Sequence, residues 1–267
     1  MRVLKAIKAL FSLFTILPVN ANGDDVLELS KKFWLIPLIG AFFGTIAGSI
    51  FLLLNMVFSP FVSATIVIIV LHGMNRFLHI DGLIDFGDGM VTLGSKDGKI
   101  KAMKDVRAGA GGVMYAILFT ILVIVTLSSL PLHLLFLAPF IAEVLSKNSM
   151  VICAAIGKPR EKGLGSIFVK HTSYKSVFPS TILSVILILM AGYLIRIFTS
   201  FNHIEVVVTI LLLIGNSCLI GVIVAKCAMK NFECVTGDVL GATNEIARSI
   251  VLLTILMVIK CLELMQL

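Results

Sequence analysis

Residues 61–89 read FVSATIVIIVLHGMNRFLHIDGLIDFGDG. Phe61 to Leu78 is an apolar run, close to the roughly 20 helical residues that cross the hydrocarbon core of a bilayer. His79 to Gly89 follows at once and sets three carboxylates and three glycines in eleven residues. Asp81, Asp85 and Asp88 are spaced i, i+4 and i+7, so a helix places all three on one face. Like charges that close repel, and more strongly beside lipid, where charge is poorly solvated. A bound hard cation resolves the repulsion, and carboxylate oxygens suit Mg²⁺. The pattern predicts a membrane helix that delivers a metal-binding acidic segment, with Asp81, Asp85 and Asp88 as metal-ligand candidates.

The rest of the chain is of the same kind. Of 267 residues, 58% are hydrophobic and 14% charged, and the mean hydropathy is +1.07. Soluble domains are nearer half apolar and a quarter charged. The chain reads as an all-α polytopic integral membrane bundle, a single membrane-embedded domain over residues 1–267. Seven apolar runs supply about seven transmembrane helices: 33–58, 61–78, 113–130, 132–156, 177–198, 206–225 and 246–264. Very short connections at Ser59-Pro60 and at Pro131 predict tight helical hairpins. Glu143 and Lys147, four apart in the fourth run, read as a structural ion pair.

Cations fix the orientation. Seventeen of the 22 Lys and Arg residues fall in alternate connections. Arg2, Lys5, Lys8, Lys31 and Lys32 precede the first run. Lys96, Lys99, Lys101, Lys104 and Arg107 lie between the second and third. Lys158, Arg160, Lys162, Lys170 and Lys175 lie between the fourth and fifth, and Lys226 and Lys230 follow the sixth. The positive-inside rule makes that side the cytoplasm, so the acidic segment opens a cytoplasmic loop and the protein belongs in the cell membrane. The net charge of +7 is then explained by orientation and anionic lipid and calls for no nucleic acid partner. Arg2, Lys5, Lys8, Ser12 and Thr15 form a polar stripe along an otherwise apolar start. That predicts a retained amphipathic helix in the interface, not a cleaved signal. The five cysteines are scattered without a Cys-x-x-Cys pair, which reads as free thiols.

Two more segments on the cationic side carry chemistry. Met103 to Gly112 brings Lys104 and Arg107 and a glycine-rich stretch to a helix start, where backbone N–H groups favour an anion. A solvated hinge is the competing reading. Thr236 to Glu245 contains Asp238, which either completes a cation site or caps the following turn.

Together these segments resemble the cobalamin synthase family, the adenosylcobinamide-GDP ribazoletransferases. His79 to Gly89 is similar to its His-x-Asp-Gly-Leu-x-Asp-x-x-Asp-Gly signature. Phe14 to Val19 resembles its Phe-Leu-Thr-x-Leu-Pro-Val opening, and Phe33 to Gly40 its aromatic-Pro-Leu-Val-Gly entry to the first span. Met103 to Gly109 resembles Met-Lys-Asp-x-Arg-x-Gly, and Thr236 to Ala242 resembles Thr-Gly-Asp-x-Leu-Gly-Ala. The chain departs at Ile16, where the family has Arg, and at Lys147-Asn148, where it favours Arg-Trp.

The resemblance implies a membrane phosphotransferase that joins adenosylcobinamide-GDP to α-ribazole, or its 5′-phosphate, with release of GMP. This is the last step of nucleotide-loop assembly in cobalamin biosynthesis. It implies Mg²⁺ held by Asp81, Asp85, Asp88 and Asp238, with Lys104 and Arg107 on the substrate phosphate. The general base would be His79 or one of the aspartates. The lipid bilayer is the other partner, and the sequence leaves a homo-oligomer open. Two rivals are weighed. A CDP-alcohol-type phosphotransferase should continue Asp-Gly-x-x-Ala-Arg, but Leu83, Ile84 and Asp85 follow Gly82. An ion-coupled transporter should hold its carboxylates near the midplane on broken helices, whereas these follow the span.

Overall fold

Each apolar run forms a helix in the computed structural model, which describes residues 1–160, 163–196 and 203–265. Along the chain run α1 (Arg2–Phe14), α2 (Gly23–Ser30), α3 (Pro37–Leu54), α4 (Pro60–Met74), α5 (Leu78–Val91) and α6 (Lys96–Ala102). They are followed by α7 (Ala110–Ser128), α8 (Leu137–Ile156), α9 (Leu164–His171), α10 (Tyr174–Arg196), α11 (His203–Phe232) and α12 (Gly237–Met265). Short 3₁₀ turns at Phe33–Leu35 and Leu132–Leu134 lead into α3 and α8. Lys162, counted above with the cationic residues, lies outside the described residues, as does the end of the fifth apolar run at Phe198.

Among the described residues five helices are long and apolar enough to cross a membrane, and a sixth span results if α4 and α5 are counted together. The seventh, α12, has 29 residues but carries Arg248, Lys260 and Glu263 within its apolar stretch. The protein is a multi-pass membrane bundle. The two hairpins are looser than their sequences suggest. Asn55 to Ser59 separate α3 from α4, and Ser59 caps α4 with Pro60 in its first turn. At the N-terminus α1 is the expected amphipathic helix; it buries Ala6, Ala9, Leu10 and Phe14. Its Lys8 meets Asp25 of α2 at 3.0 Å.

The centre of the bundle is α8, buried from Ala138 to Ala154 and flanked by α3, α10, α11 and α12. Lipid tails are as apolar as leucine, so close backbone packing must hold such helices together. On α3, Gly40, Gly44 and Gly48 provide it. A Cβ there would stand 2.5 Å from Glu143 O, 2.7 Å from Phe140 Cα and 2.5 Å from Phe136 O. No side chain fits that seam.

Buried charge in α8 is met from α12. Glu143 accepts from Lys147 at 3.2 Å and also from Arg248. Arg248 donates in turn to Glu245, and Asn244 joins Glu245 back to Lys147. The result is a closed ring of five side chains with no net charge. The expected Glu143–Lys147 pair is present as one side of it.

A sharp corner positions the site. Between α4 and α5 the axis turns by 92°, and Arg76 and Phe77 take left-handed φ values of 56° and 58°. That conformation costs roughly 1–2 kcal/mol per non-glycine residue. Arg76 offsets part of the cost, because its guanidinium donates to Ser12 O and Leu13 O at the carboxyl end of α1, each at 3.1 Å. A cation is favoured there by the helix dipole. Beyond the corner, α5 lies across the ends of the spanning helices. It meets the first residues of α12 and α7 and the last residue of α11. Its carboxylates therefore lie at the ends of those helices and not along their length.

Candidate active site

The three aspartates do share one face of α5. Asp81 is exposed, Asp85 half-buried and Asp88 buried, so the row descends from solvent towards the start of α7. The opposite face carries Leu83 and Phe86 into the core. The glycines between them let neighbouring backbones close in. A Cβ on Gly82 would lie 2.8 Å from Asp238 O. That contact seats the start of α12 against α5 and brings Asp238 to the row, across some 150 residues of sequence.

Asp88 is tied to backbone through both of its oxygens. Its Oδ2 accepts from Gly109 N and its Oδ1 from Gly112 N, both at 2.7 Å. These are the unpaired N–H groups at the start of α7, and a Cβ on Gly112 would come within 2.2 Å of Ile84 O. The glycine-rich stretch is therefore an anion site, but the anion is the protein's own carboxylate. Asp88 pins α5 to α7 and stands at the inner end of the row.

Asp238 does not cap α12. Thr236 does so, accepting from Val239 N at 3.3 Å while its hydroxyl donates to Asp238 Oδ2 at 3.1 Å. Burial first, and then the charge of Asp81, raises the Asp238 carboxyl, opposed by the Thr236 hydrogen bond and by the charges of Lys104 and Arg160. Asp85 feels the crowding most. Burial, then Asp238, Asp81 and Asp88, push it up to about 7.

The described residues contain no group of three or more His, Cys, Asp or Glu side chains already drawn together as a metal site. The donor set nevertheless fits a hard cation. It is all oxygen, and burial together with mutual repulsion raises the proton affinity of Asp85; a cation reverses that repulsion. Asp81, Asp85 and Asp238 are the residues with a reason to move onto one.

Two expected site residues stand elsewhere. His79 is two residues from Asp81, and helical periodicity sends the two to opposite faces. Its ring is buried near Phe14, with centroids 6.0 Å apart, and neither nitrogen has a hydrogen-bond partner among the described residues. The structure does not bring His79 to the carboxylates. Arg107 is turned to the surface, where it pairs with Asp105 at 3.2 Å and holds that carboxyl below its usual range. Lys104 is the cation of that segment whose charge reaches Asp238.

A model of the family described as cobalamin-5-phosphate synthase matches residues 6–256. The chain belongs to the cobalamin-5-phosphate synthase family. Among curated relatives, the adenosylcobinamide-GDP ribazoletransferase of Methanococcoides burtonii is 31% identical, covering 97% of this chain and 94% of the relative. The protein of that name from Thermococcus kodakarensis is 30% identical over 88% of this chain and 91% of the relative. That of Caldanaerobacter subterraneus subsp. tengcongensis is 30% identical over 92% and 95%. No solved structure matches the chain. The family match spans the acidic helix, the Lys104 segment and the start of α12, so the elements that build this site are family elements.

Proposed function

We propose that this member of the cobalamin-5-phosphate synthase family is an adenosylcobinamide-GDP ribazoletransferase. A ribose hydroxyl of α-ribazole, or of its 5′-phosphate, attacks the phosphorus on the cobinamide side of the diphosphate. The new P–O bond forms as the bridging P–O bond breaks, and GMP leaves. The observation that carries the reading is the row of carboxylates on α5, joined by Asp238 at the end of the bundle.

Asp81, Asp85 and Asp238 would hold Mg²⁺, which when bound would neutralise diphosphate oxygens and favour departure of GMP. Asp88 orients the row by anchoring it to α7. Lys104 supplies positive charge to the leaving phosphate. A carboxylate of the row takes the hydroxyl proton, because His79 faces the other way. Corner and helix ends together hold these groups beside the bilayer, where a large corrinoid can approach from water.

Purified protein in lipid nanodiscs, given adenosylcobinamide-GDP, α-ribazole and Mg²⁺, should release GMP and form the joined corrinoid. No GMP release with either α-ribazole or its 5′-phosphate would remove the assignment.

The site is proposed to face the cytoplasm of the cell membrane, from the one-sided cations. Single cysteines at Lys99 and Lys170 in a cysteine-free background should react with an impermeant maleimide from the same, cytoplasmic face. Labelling of the two from opposite faces would overturn that orientation.

A further inference from the structure

The connection between α8 and α9 is stitched to the Thr236-Gly237-Asp238 turn at both ends. Val235 N donates to Lys158 O at 2.8 Å, and Pro159 and Val235 form an isolated parallel bridge. Lys158 N donates to Met229 Sδ at 3.4 Å. On the far side, Gly165 packs so tightly on Gly237 that a Cβ would meet Gly237 N at 2.2 Å. Arg160 stands between these two attachments.

Its guanidinium is in an unusual position. Nη1 is shut away from water and has no hydrogen-bond partner among the described residues. A buried guanidinium N–H left unpaired is costly, and more so than a neutral donor. Its positive charge, with that of Lys104, acts on Asp238. A rigid fork of donors beside a metal-type carboxylate set suits an anion with several oxygens, and Arg matches phosphate better than Lys does.

We propose that Arg160 is a phosphate-binding residue of this site, donating to the guanylate phosphate of the substrate and of the GMP product, the task that the sequence assigns to Arg107. This rests on the ribazoletransferase reading, since the occupant is the nucleotide half of that substrate. Arg107 is held outward by Asp105, whereas Arg160 has a donor without a partner among the described residues and follows directly on the Pro159–Val235 bridge. Like Lys104 it brings positive charge to bear on Asp238, so the phosphate of the leaving group would lie between the two signs of charge.

The test is equilibrium binding of GMP to the protein in nanodiscs, with Arg160→Gln and Arg160→Lys beside the wild type. Loss of one charged hydrogen bond should weaken GMP roughly tenfold to a hundredfold in Arg160→Gln. Arg160→Lys should recover only part of this, since it keeps the charge and loses the fork. The KM for adenosylcobinamide-GDP should rise in both variants, while the Mg²⁺ requirement changes little. Equal GMP affinity in wild type and Arg160→Gln, or full recovery by lysine, assigns Arg160 to charge balance with Asp238 and overturns the proposal. A wild-type protein that binds no GMP overturns it as well. If GMP binds in an Arg160-dependent way but none is released from adenosylcobinamide-GDP, the transferase reading fails and the phosphate site stands.

Discussion

Asp85→Asn should lower turnover by on the order of a hundredfold or more while leaving a folded, membrane-inserted protein. Asp85 is the middle carboxylate of the row and the one that Asp238, Asp81 and Asp88 all act upon. It is half-buried and makes no structural cap of the kind Asp88 makes, so the amide should be accommodated without loss of packing. Removing the charge also relieves repulsion, so the variant should melt no lower than wild type. The combination of stability retained and activity lost separates a site residue from a structural one. Asp238→Ala, which removes a second member, should raise the Mg²⁺ concentration needed for half-maximal activity.

The pH dependence follows from the burial and crowding of Asp85. With its proton affinity raised to about 7, Asp85 binds a proton in competition with a cation. Lowering the pH from 8 to 6 fills the site with protons, so the Mg²⁺ requirement of the wild type should increase over that window and plateau above it. An Asp85→Asn protein with near-normal turnover at limiting Mg²⁺, or a wild type whose Mg²⁺ requirement is flat from pH 6 to 8, would take Asp85 out of the mechanism.

Much of this was legible before any coordinates, because the signals were local or periodic. The apolar runs gave the helices, and the i, i+4, i+7 aspartates gave their common face. Helical periodicity also separates His79 from those aspartates, a consequence that the family signature obscures by grouping them in one motif. What the sequence could not supply were pairings over long separations. Arg160 looks like one more loop cation until the Pro159–Val235 bridge ties its segment to the start of α12. The N–H groups of Gly109 and Gly112 suggest a substrate phosphate until Asp88 is seen to occupy them. Arg107 is a local exception: it looks equivalent to Lys104 until Asp105, two residues away, draws it outward. The corner at Arg76 and Phe77 carries no glycine or proline, so nothing local announces it; it depends on the carboxyl end of α1 accepting the arginine.

Arg248→Met should destabilise the bundle by about 3–5 kcal/mol, the usual effect of removing one partner from a buried ion pair. Arg248 links Glu143 of α8 to Glu245 of α12, and its loss leaves two carboxylates sharing Lys147 alone in a region that water does not reach. The ring carries no net charge when complete and a net charge of −1 without Arg248. Repulsion then acts along the α8–α12 contact, which also holds the start of α12 against α5. A lower melting temperature in detergent and a reduced yield of monodisperse protein are expected, together with loss of activity as Asp238 leaves the row. Adding Glu143→Gln should restore neutrality, with Lys147 and Glu245 remaining, and should recover a large part of the stability. A single variant as stable as wild type, or a double variant no better than the single one, would show that the ring does not hold α8 and α12 together.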